Sequence, residues 1–239
     1  MILAAGMGTR LGHLTEKLPK ALIRVNKIPL IAHVINRLKN FGITEIIINV
    51  HHFAHLISEY LKKERNFGIH IELSHESVLL DTGGGLKNAS WFFDDDHPFI
   101  LHNVDVISDL NLSAMVEYHI KNKSLATLAV RARESSRYLL FNDDNLLIGW
   151  KSHTHQKMIK SYTMSEKRKA LSFMGIHVIS PAIFSMFPTQ DTFSILDVYI
   201  NCAAYDKRVI AFNANPYFWI DLGRPDRIAI AERYLRDKY

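Results

Sequence analysis

From Ile2 to Val130 the chain keeps one rhythm, in which short apolar, often β-branched runs alternate with segments whose apolar residues recur every three or four positions. Ile46 to Val50 is a β-branched run of the kind found in a strand covered on both faces. Ile2 to Ala5, Ile69 to Leu73, Phe99 to Val104 and Leu125 to Val130 read as further strands. Between them, Leu30, Ile31, Val34, Ile35, Leu38 and Phe41 fall on one helical face, opened by Pro29 and stopped by Gly42. Phe53, Leu56, Ile57, Tyr60 and Leu61 mark a second helix, and Leu112, Met115, Val116, His119 and Ile120 a third. Strands alternating with helices predict a mostly parallel sheet, wound by right-handed crossovers with helices on both faces. The fold class expected is therefore a three-layer, doubly wound, Rossmann-like α/β fold with a mixed sheet.

Beyond residue 130 the rhythm changes. Tyr138–Phe141 and Leu146–Trp150 flank Asn142-Asp143-Asp144-Asn145, the pattern of a hairpin. The polar stretch from Lys151 to Lys169 reads as loop, Leu171 to Ile179 as strand, and Pro181 opens a short helix. Ile195–Ala203 reads as helix, Arg208–Phe212 as strand, and Pro225–Tyr239 as a charged terminal helix. We expect one domain over 1–239, in which the lobe 131–239 extends the sheet of the lobe 1–130.

Composition removes several classes. At 48% hydrophobic and 22% charged residues the chain has the make-up of an ordinary globular protein. No apolar run approaches the ~20 residues that span a bilayer, and no secretory signal is visible. A single cysteine, Cys202, allows no intrachain disulfide. A cytoplasmic protein with no membrane partner is the expectation. The formal charge of +5 is spread along the chain, with one short cluster, Lys167-Arg168-Lys169, that reads as a solvated loop. A nucleic-acid binder would show a basic stripe with aromatic partners, so no nucleic-acid partner is expected.

The chemistry concentrates in a few places. Gly6-Met7-Gly8-Thr9-Arg10-Leu11 follows the first strand, where a glycine-rich turn lets backbone N–H groups approach phosphate. It is not the dinucleotide fingerprint, because Leu11 stands where a third glycine is needed, and it lacks the Gly-Lys-Ser/Thr of the P-loop. Arg10 offers a planar fork of donors to a polyphosphate, and Lys20, stiffened by Pro19, a point charge. The long segment Gly6–Asn26 reads as a loop, and long loops in compact domains are usually functional or disordered. Asp105 follows the strand Phe99–Val104, at the carboxyl end where open α/β sheets bind ligands. His51, His52 and His55 lie close in sequence without a carboxylate or cysteine partner, and read as the cover of a helix start. Arg137 and Tyr138 are candidates to lie near an acceptor.

Taken together, Leu3-Ala4-Ala5-Gly6-Met7-Gly8-Thr9-Arg10-Leu11 and Leu18-Pro19-Lys20-Ala21-Leu22 resemble the signature of the sugar-1-phosphate nucleotidyltransferase family. The resemblance extends through four further segments. These are Leu80-Asp81-Thr82-Gly83-Gly84-Gly85, His102-Asn103-Val104-Asp105, Phe173-Met174-Gly175-Ile176 and Trp219-Ile220-Asp221-Leu222-Gly223-Arg224-Pro225. It implies transfer of a nucleotidyl group from an NTP to a sugar 1-phosphate, giving an NDP-sugar and pyrophosphate, with Mg²⁺ as cofactor. It implies that Arg10 and Lys20 act on the triphosphate as catalytic residues, with Ala4, Ala5, Gly6, Gly8 and Thr9 shaping its loop. Thr82, Gly83, Gly84 and Asn103 would contact the nucleotide, with the glycines lying flat against the base. Gly175 would line the sugar pocket, and Asp105 and Asp221 would hold the metal. The lobe 1–130 is then the nucleotide-binding lobe and 131–239 the sugar-phosphate-binding lobe.

The Thr-Gly-Gly-Gly form is similar to that of N-acetylmuramate 1-phosphate uridylyltransferases and mannose-1-phosphate guanylyltransferases, so UTP and GTP are the favoured donors. A monomer or homodimer is expected. Two alternatives stay open, a cytidylyltransferase for a phosphorylated alcohol such as phosphocholine and a non-catalytic relative that binds an NDP-sugar. Val104, standing where the family shows glycine, is the feature that supports the second. A glycosyltransferase of related fold would need a D-x-D motif after its central strand. Asp94-Asp95-Asp96 comes before that strand instead. The family's lysine for the sugar phosphate has no clear counterpart.

Overall fold

The computed structural model describes residues 1–152, 156–158 and 168–238, with only the backbone of 156–158. In chain order the elements are β1 (Ile2–Leu3), β2 (Arg24–Val25), β3 (Ile28–Pro29), α1 (Leu30–Asn40), β4 (Glu45–Val50), α2 (Ala54–Lys63), β5 (His70–His75) and α3 (Asp81–Asn88). They continue as β6 (Phe99–Asn103), β7 (Val106–Ser108), α4 (Leu112–Lys121), β8 (Ala126–Arg131), β9 (Arg137–Phe141) and β10 (Leu147–Ser152). The last are β11 (Gln156–Met158), β12 (Lys169–Ile179), α5 (Ile195–Ala204), β13 (Val209–Asn213), β14 (Trp219–Asp221) and α6 (Asp226–Lys238).

β5, β4, β1 and β6 lie side by side and parallel, as the alternating pattern requires. β12 then runs antiparallel to β6 and carries the sheet into the second lobe. Its start pairs with β9 and its remainder with β8, to which β13 is added in parallel. The sheet is thus mixed, and one continuous set of hydrogen bonds crosses both lobes. β14 pairs with β7 in a small separate sheet whose end reaches Asp105. Among the described residues no helix is long and apolar enough to cross a membrane.

Period-two alternation distributes the core. Ile46, Ile48 and Val50 pack with α1, α2 and α4 on one face of the sheet. Ile47, Leu101 and Leu128 pack with α3 and α5 on the other. Each β-branched strand thereby buries both of its faces, which is why β4 shows no polar alternation.

Some expectations are refined. The segment Gly6–Asn26 is not all loop. It holds 3₁₀ turns at Thr9–Thr15 and Lys20–Leu22, because Leu11, Ala21 and Leu22 are apolar enough to bury there. It closes with β2 and β3, joined by Asn26 and Lys27, both left-handed at φ 48° and 67° as a two-residue hairpin requires. The helix after Pro181 is a 3₁₀ turn, Pro181–Met186. In the stretch 151–169, Lys151 and Ser152 complete β10, Gln156–Met158 pairs with β10, and Lys169 opens β12. Residues 153–155 and 159–167 of that expected loop, Lys167 included, lie outside the described residues.

Candidate active site

A cleft of about 600 Å³ opens at the carboxyl ends of β1, β4 and β6. One wall is Ala5, Gly6, Met7, Gly8, Thr9 and Arg10. Gly8 is left-handed at φ 67°, and a Cβ there would press on Thr15 Cγ2 at 3.0 Å and Lys20 Cβ at 3.1 Å. That closeness shows how the loop folds: Gly8 lets it pass directly over Lys20, so the turn and the lysine form one cradle. Thr15 fastens it by donating its hydroxyl to the Gly8 carbonyl at 3.2 Å.

The floor carries the charges. Lys20 donates to Asp105 in a close ion pair whose side chains are 10% and 19% exposed. Asp105 stands just past the end of β6, and Leu222 donates its backbone N–H to the Asp105 carbonyl at 2.8 Å. Asp221 is in register with Val106, so the second carboxylate emerges from the strand end next to the first. Arg227, in the first turn of α6, pairs with Asp221. Gly223 completes the join: a Cβ there would lie 3.0 Å from Asp221 Oδ1 and 3.1 Å from Arg10 Nη2. Arg10, Lys20, Asp105 and Asp221, far apart in the chain, are thereby brought together.

The opposite wall contains residues that sequence reasoning passed over. Asn49 Oδ1 accepts from the Ala4 N–H at 2.7 Å, and Asn49 Nδ2 donates to Glu76 Oε1 at 2.6 Å. Glu76 Oε2 accepts from the Leu80 N–H at 3.0 Å. This buried relay ties the first strand to the segment before α3, and both of its side chains line the cleft. Its signal was present in the sequence, since Asn49 is a polar residue inside an otherwise β-branched run. Asp81, Thr82, Leu79 and Thr192 complete the wall. Asp81 is left-handed at φ 61°, with Oδ1 accepting from the Thr82 N–H at 2.5 Å.

The glycines after Thr82 occupy a different setting from the one expected. Gly83, Gly84 and Gly85 are buried within α3 rather than lying in a flat loop. A Cβ on Gly83 would meet Phe193, one on Gly84 would run into the Asp191 carbonyl, and one on Gly85 would meet Glu76 and Asn49. They allow the helix to pack against the 191–193 segment, while Thr82 faces the cleft and also accepts the Ile195 N–H at 3.0 Å. Val104, in place of the family's glycine, is buried and lines the cleft, with its N–H on the Leu3 carbonyl at 3.0 Å.

Gly175 sits at the irregularity in β12 between Phe173 and His177, with φ 76°. A Cβ there would come within 2.7 Å of Asn103 Nδ2, so this glycine gives Asn103 its place in the cleft. Next to it, the Met174 carbonyl accepts from Trp219 Nε1 at 2.7 Å. The Arg133 guanidinium lies over the Trp219 ring at 4.6 Å. Burial pushes the Arg133 pKa down, and Asp221 opposes the shift. Arg137 and Tyr138 face a separate cavity of about 160 Å³ with Trp150, Phe173 and Asp197. His51 spends Nδ1 on the Glu76 carbonyl at 2.8 Å.

The sequence model of the family described as Nucleotidyl transferase matches residues 1–238. A mannose-1-phosphate guanyltransferase of Yarrowia lipolytica is 31% identical over 234 residues, 94% of this chain and 60% of that protein. The mannose-1-phosphate guanylyltransferase catalytic subunit beta of Dictyostelium discoideum is 28% identical, with 94% and 61% covered. The chain thus spans about 60% of the length of these curated relatives. Among solved structures, a putative glucose-1-phosphate thymidylyltransferase from Bacillus anthracis shares the fold at TM-score 0.82 and 19% identity, with 99% of this chain and 94% of that one covered. HddC from Yersinia pseudotuberculosis, complexed with GMP-PN, does so at TM-score 0.77 and 21% identity, with 98% and 97% covered. With the family signature matched from one end of the sheet to the other, the chain belongs to the nucleotidyl transferase family.

Proposed function

We propose that this protein joins an NTP to a sugar 1-phosphate, releasing pyrophosphate and forming an NDP-sugar. The observation that carries the reading is the convergence in one cleft of a glycine cradle, two cations, Arg10 and Lys20, and the Asp105 carboxylate, with Asp221 at its border beside Gly223. The mannose-1-phosphate guanyltransferases among the relatives favour GTP and mannose 1-phosphate as the first pair to test, with UTP as the other favoured donor.

The donor set fits a divalent ion. Two partly buried carboxylates stand at adjoining strand ends, each paired with a cationic side chain. Mg²⁺ prefers one or two carboxylates and takes its remaining oxygens from phosphates and water. Asp105 and Asp221 would hold it, and when bound it supplies charge neutralisation at the α-phosphate.

The protein's own groups have limited covalent work to do, because the attacking phosphate oxygen is already ionised near neutral pH. The Gly6–Thr9 turn and Lys20 bind the polyphosphate and orient it in line with the acceptor. Arg10 and Lys20 oppose the charge that builds on the departing pyrophosphate. Asn103, braced by Gly175, and Thr82 position the nucleoside.

The test is phosphate release with inorganic pyrophosphatase and Mg²⁺, across GTP, UTP, CTP, dTTP and ATP against mannose, glucose, N-acetylglucosamine and N-acetylmuramate 1-phosphates. Strong release that depends on one acceptor establishes the reaction. A blank matrix from folded protein that still binds nucleotide rejects it in favour of a binding-only relative.

A further inference from the structure

Arg133 leaves the end of β8 in a fixed setting. Its carbonyl accepts from Ser172 Oγ at 3.1 Å, and the preceding Ala132 N–H donates to Asn215 Oδ1 at 2.8 Å. Its guanidinium is spread over Trp219, whose indole N–H is itself committed to Met174. The charges acting on Arg133 include two guanidiniums, Arg131 and Arg227, against the single carboxylate Asp221. Asp221 is already paired with Arg227 and has Arg10 beside it across Gly223. Positive charge therefore gathers around one carboxylate beside Trp219, next to Gly223 and Asn103, which line the cleft.

Such a gathering is unfavourable in a folded protein unless an anion completes it. The hydrogen bonding points the same way. Arg133 spends Nη1 on the Glu134 carbonyl at 3.2 Å, and Arg131 spends Nη1 on the Tyr217 carbonyl at 3.5 Å. The Nε–H groups of both are shut away from solvent with no partner. Closed off in this way, the Nε edges leave only the Nη side of each guanidinium for a ligand to meet. A guanidinium fork laid on an aromatic plane is the arrangement that receives a phosphate in two parallel hydrogen bonds.

We propose that Arg133, with Arg131 and Arg227 beside it, is the subsite for the phosphate monoester of the acceptor. The inference rests on the nucleotidyl-transfer reading above and assigns to arginines at and just past the end of β8 and in α6 the task that the family resemblance gives to a lysine. The donor triphosphate keeps Arg10 and Lys20, so the two substrates meet different cations, with Arg10 beside Asp221 at the join between them.

The experiment uses the full chain with GTP and mannose 1-phosphate as the probe pair, in wild type, Arg133→Ala, Arg133→Lys and Arg131→Ala. Loss of a charge-assisted contact should raise the acceptor KM by about 10- to 100-fold in Arg133→Ala, leaving the GTP KM within about twofold and the thermal midpoint unchanged. Arg133→Lys, which keeps the charge and loses the fork, should fall between. An acceptor KM in Arg133→Ala within about twofold of wild type overturns the assignment, as does an equal rise for both substrates. Calorimetric binding of mannose 1-phosphate and of inorganic phosphate separates this from failure of the activity itself. If wild type turns over no acceptor but binds phosphate, and Arg133→Ala and Arg133→Lys weaken that binding in turn, the subsite stands without the reaction. Equal binding by wild type and Arg133→Ala removes it.

Discussion

Asp221 comes to stand beside Asp105 because Leu222 hydrogen-bonds the Asp105 carbonyl, backbone to backbone, at 2.8 Å. That bond continues the β14–β7 ladder, in which Asp221 faces Val106. A backbone ladder fixes position more tightly than side-chain contact does, which suits two groups proposed to share one ligand. The arrangement also explains why each carboxylate has a cation at hand, Lys20 for Asp105 and Arg227 for Asp221.

Asp105→Asn and Asp221→Asn should each lower kcat by about 100-fold or more, the scale seen when one contact made in the transition state is removed. Asp105→Asn also leaves the Lys20 ammonium, 10% exposed, without its counter-charge. It should lower unfolding free energy by about 1–3 kcal/mol. Steady-state kinetics beside urea titration checks both parts. Wild-type turnover in both variants would refute the assigned roles.

Arg10→Ala should cost on the order of 3 kcal/mol of transition-state stabilisation, with little change in stability, because Arg10 is exposed at the cleft wall. A change in kcat/KM of about tenfold or less would remove Arg10 from the leaving-group end.

The glycines divide by what surrounds them. Gly84→Ala drives a methyl into the Asp191 backbone carbonyl, which cannot swing aside. Overpacking of this kind costs about 1–3 kcal/mol, so the variant should melt lower than wild type. Gly6→Ala meets nothing within 4 Å in the free protein and should keep the wild-type melting point. Its methyl would instead stand where the triphosphate approaches, so its effect should appear as a raised NTP KM. Equal melting points for Gly84→Ala and wild type would contradict the packing described for α3.

Three buried histidines set the acid response. Burial pushes His102 and His119 down to about 4, and His177 to about 3, from an ordinary 6.5. Between pH 6.5 and about 4 the unfolded chain takes up protons at these positions and the folded chain does not. Stability therefore falls as pH falls through that window. The urea midpoint should drop steadily from pH 6.5 to 4, and His119→Gln should show a shallower slope. A midpoint that stays level across the window would show that these imidazoles are not held neutral.

Cys202 is fully buried on α5, and burial pushes its thiol up to about 11. The thiolate is the reactive form. Ellman's reagent should therefore leave the native protein untouched at pH 8 and react fully once urea unfolds it. Rapid labelling of native protein would show that α5 opens locally.

The sequence alone determined the parallel half of the sheet, because β-branched runs such as Ile46–Val50 and the helical spacing of Leu30 to Phe41 are local patterns with one low-energy solution each. It marked Gly6-Met7-Gly8-Thr9-Arg10 as a candidate phosphate loop as well, since glycines after a strand let backbone N–H groups approach phosphate. It could not show that Lys20 buries against Asp105, that Arg227 meets Asp221, or that Asn49 and Glu76 form one wall of the cleft. Those pairs join residues distant in the chain, and nothing in local spacing distinguishes them from solvated side chains. The glycines after Thr82 show the same boundary. Their permissiveness was legible, but whether it serves a bound base or a helix pressed against Asp191 and Phe193 depends on what packs there. Only the tertiary structure decided that, because close packing is a property of the neighbours a residue acquires on folding rather than of the residue itself.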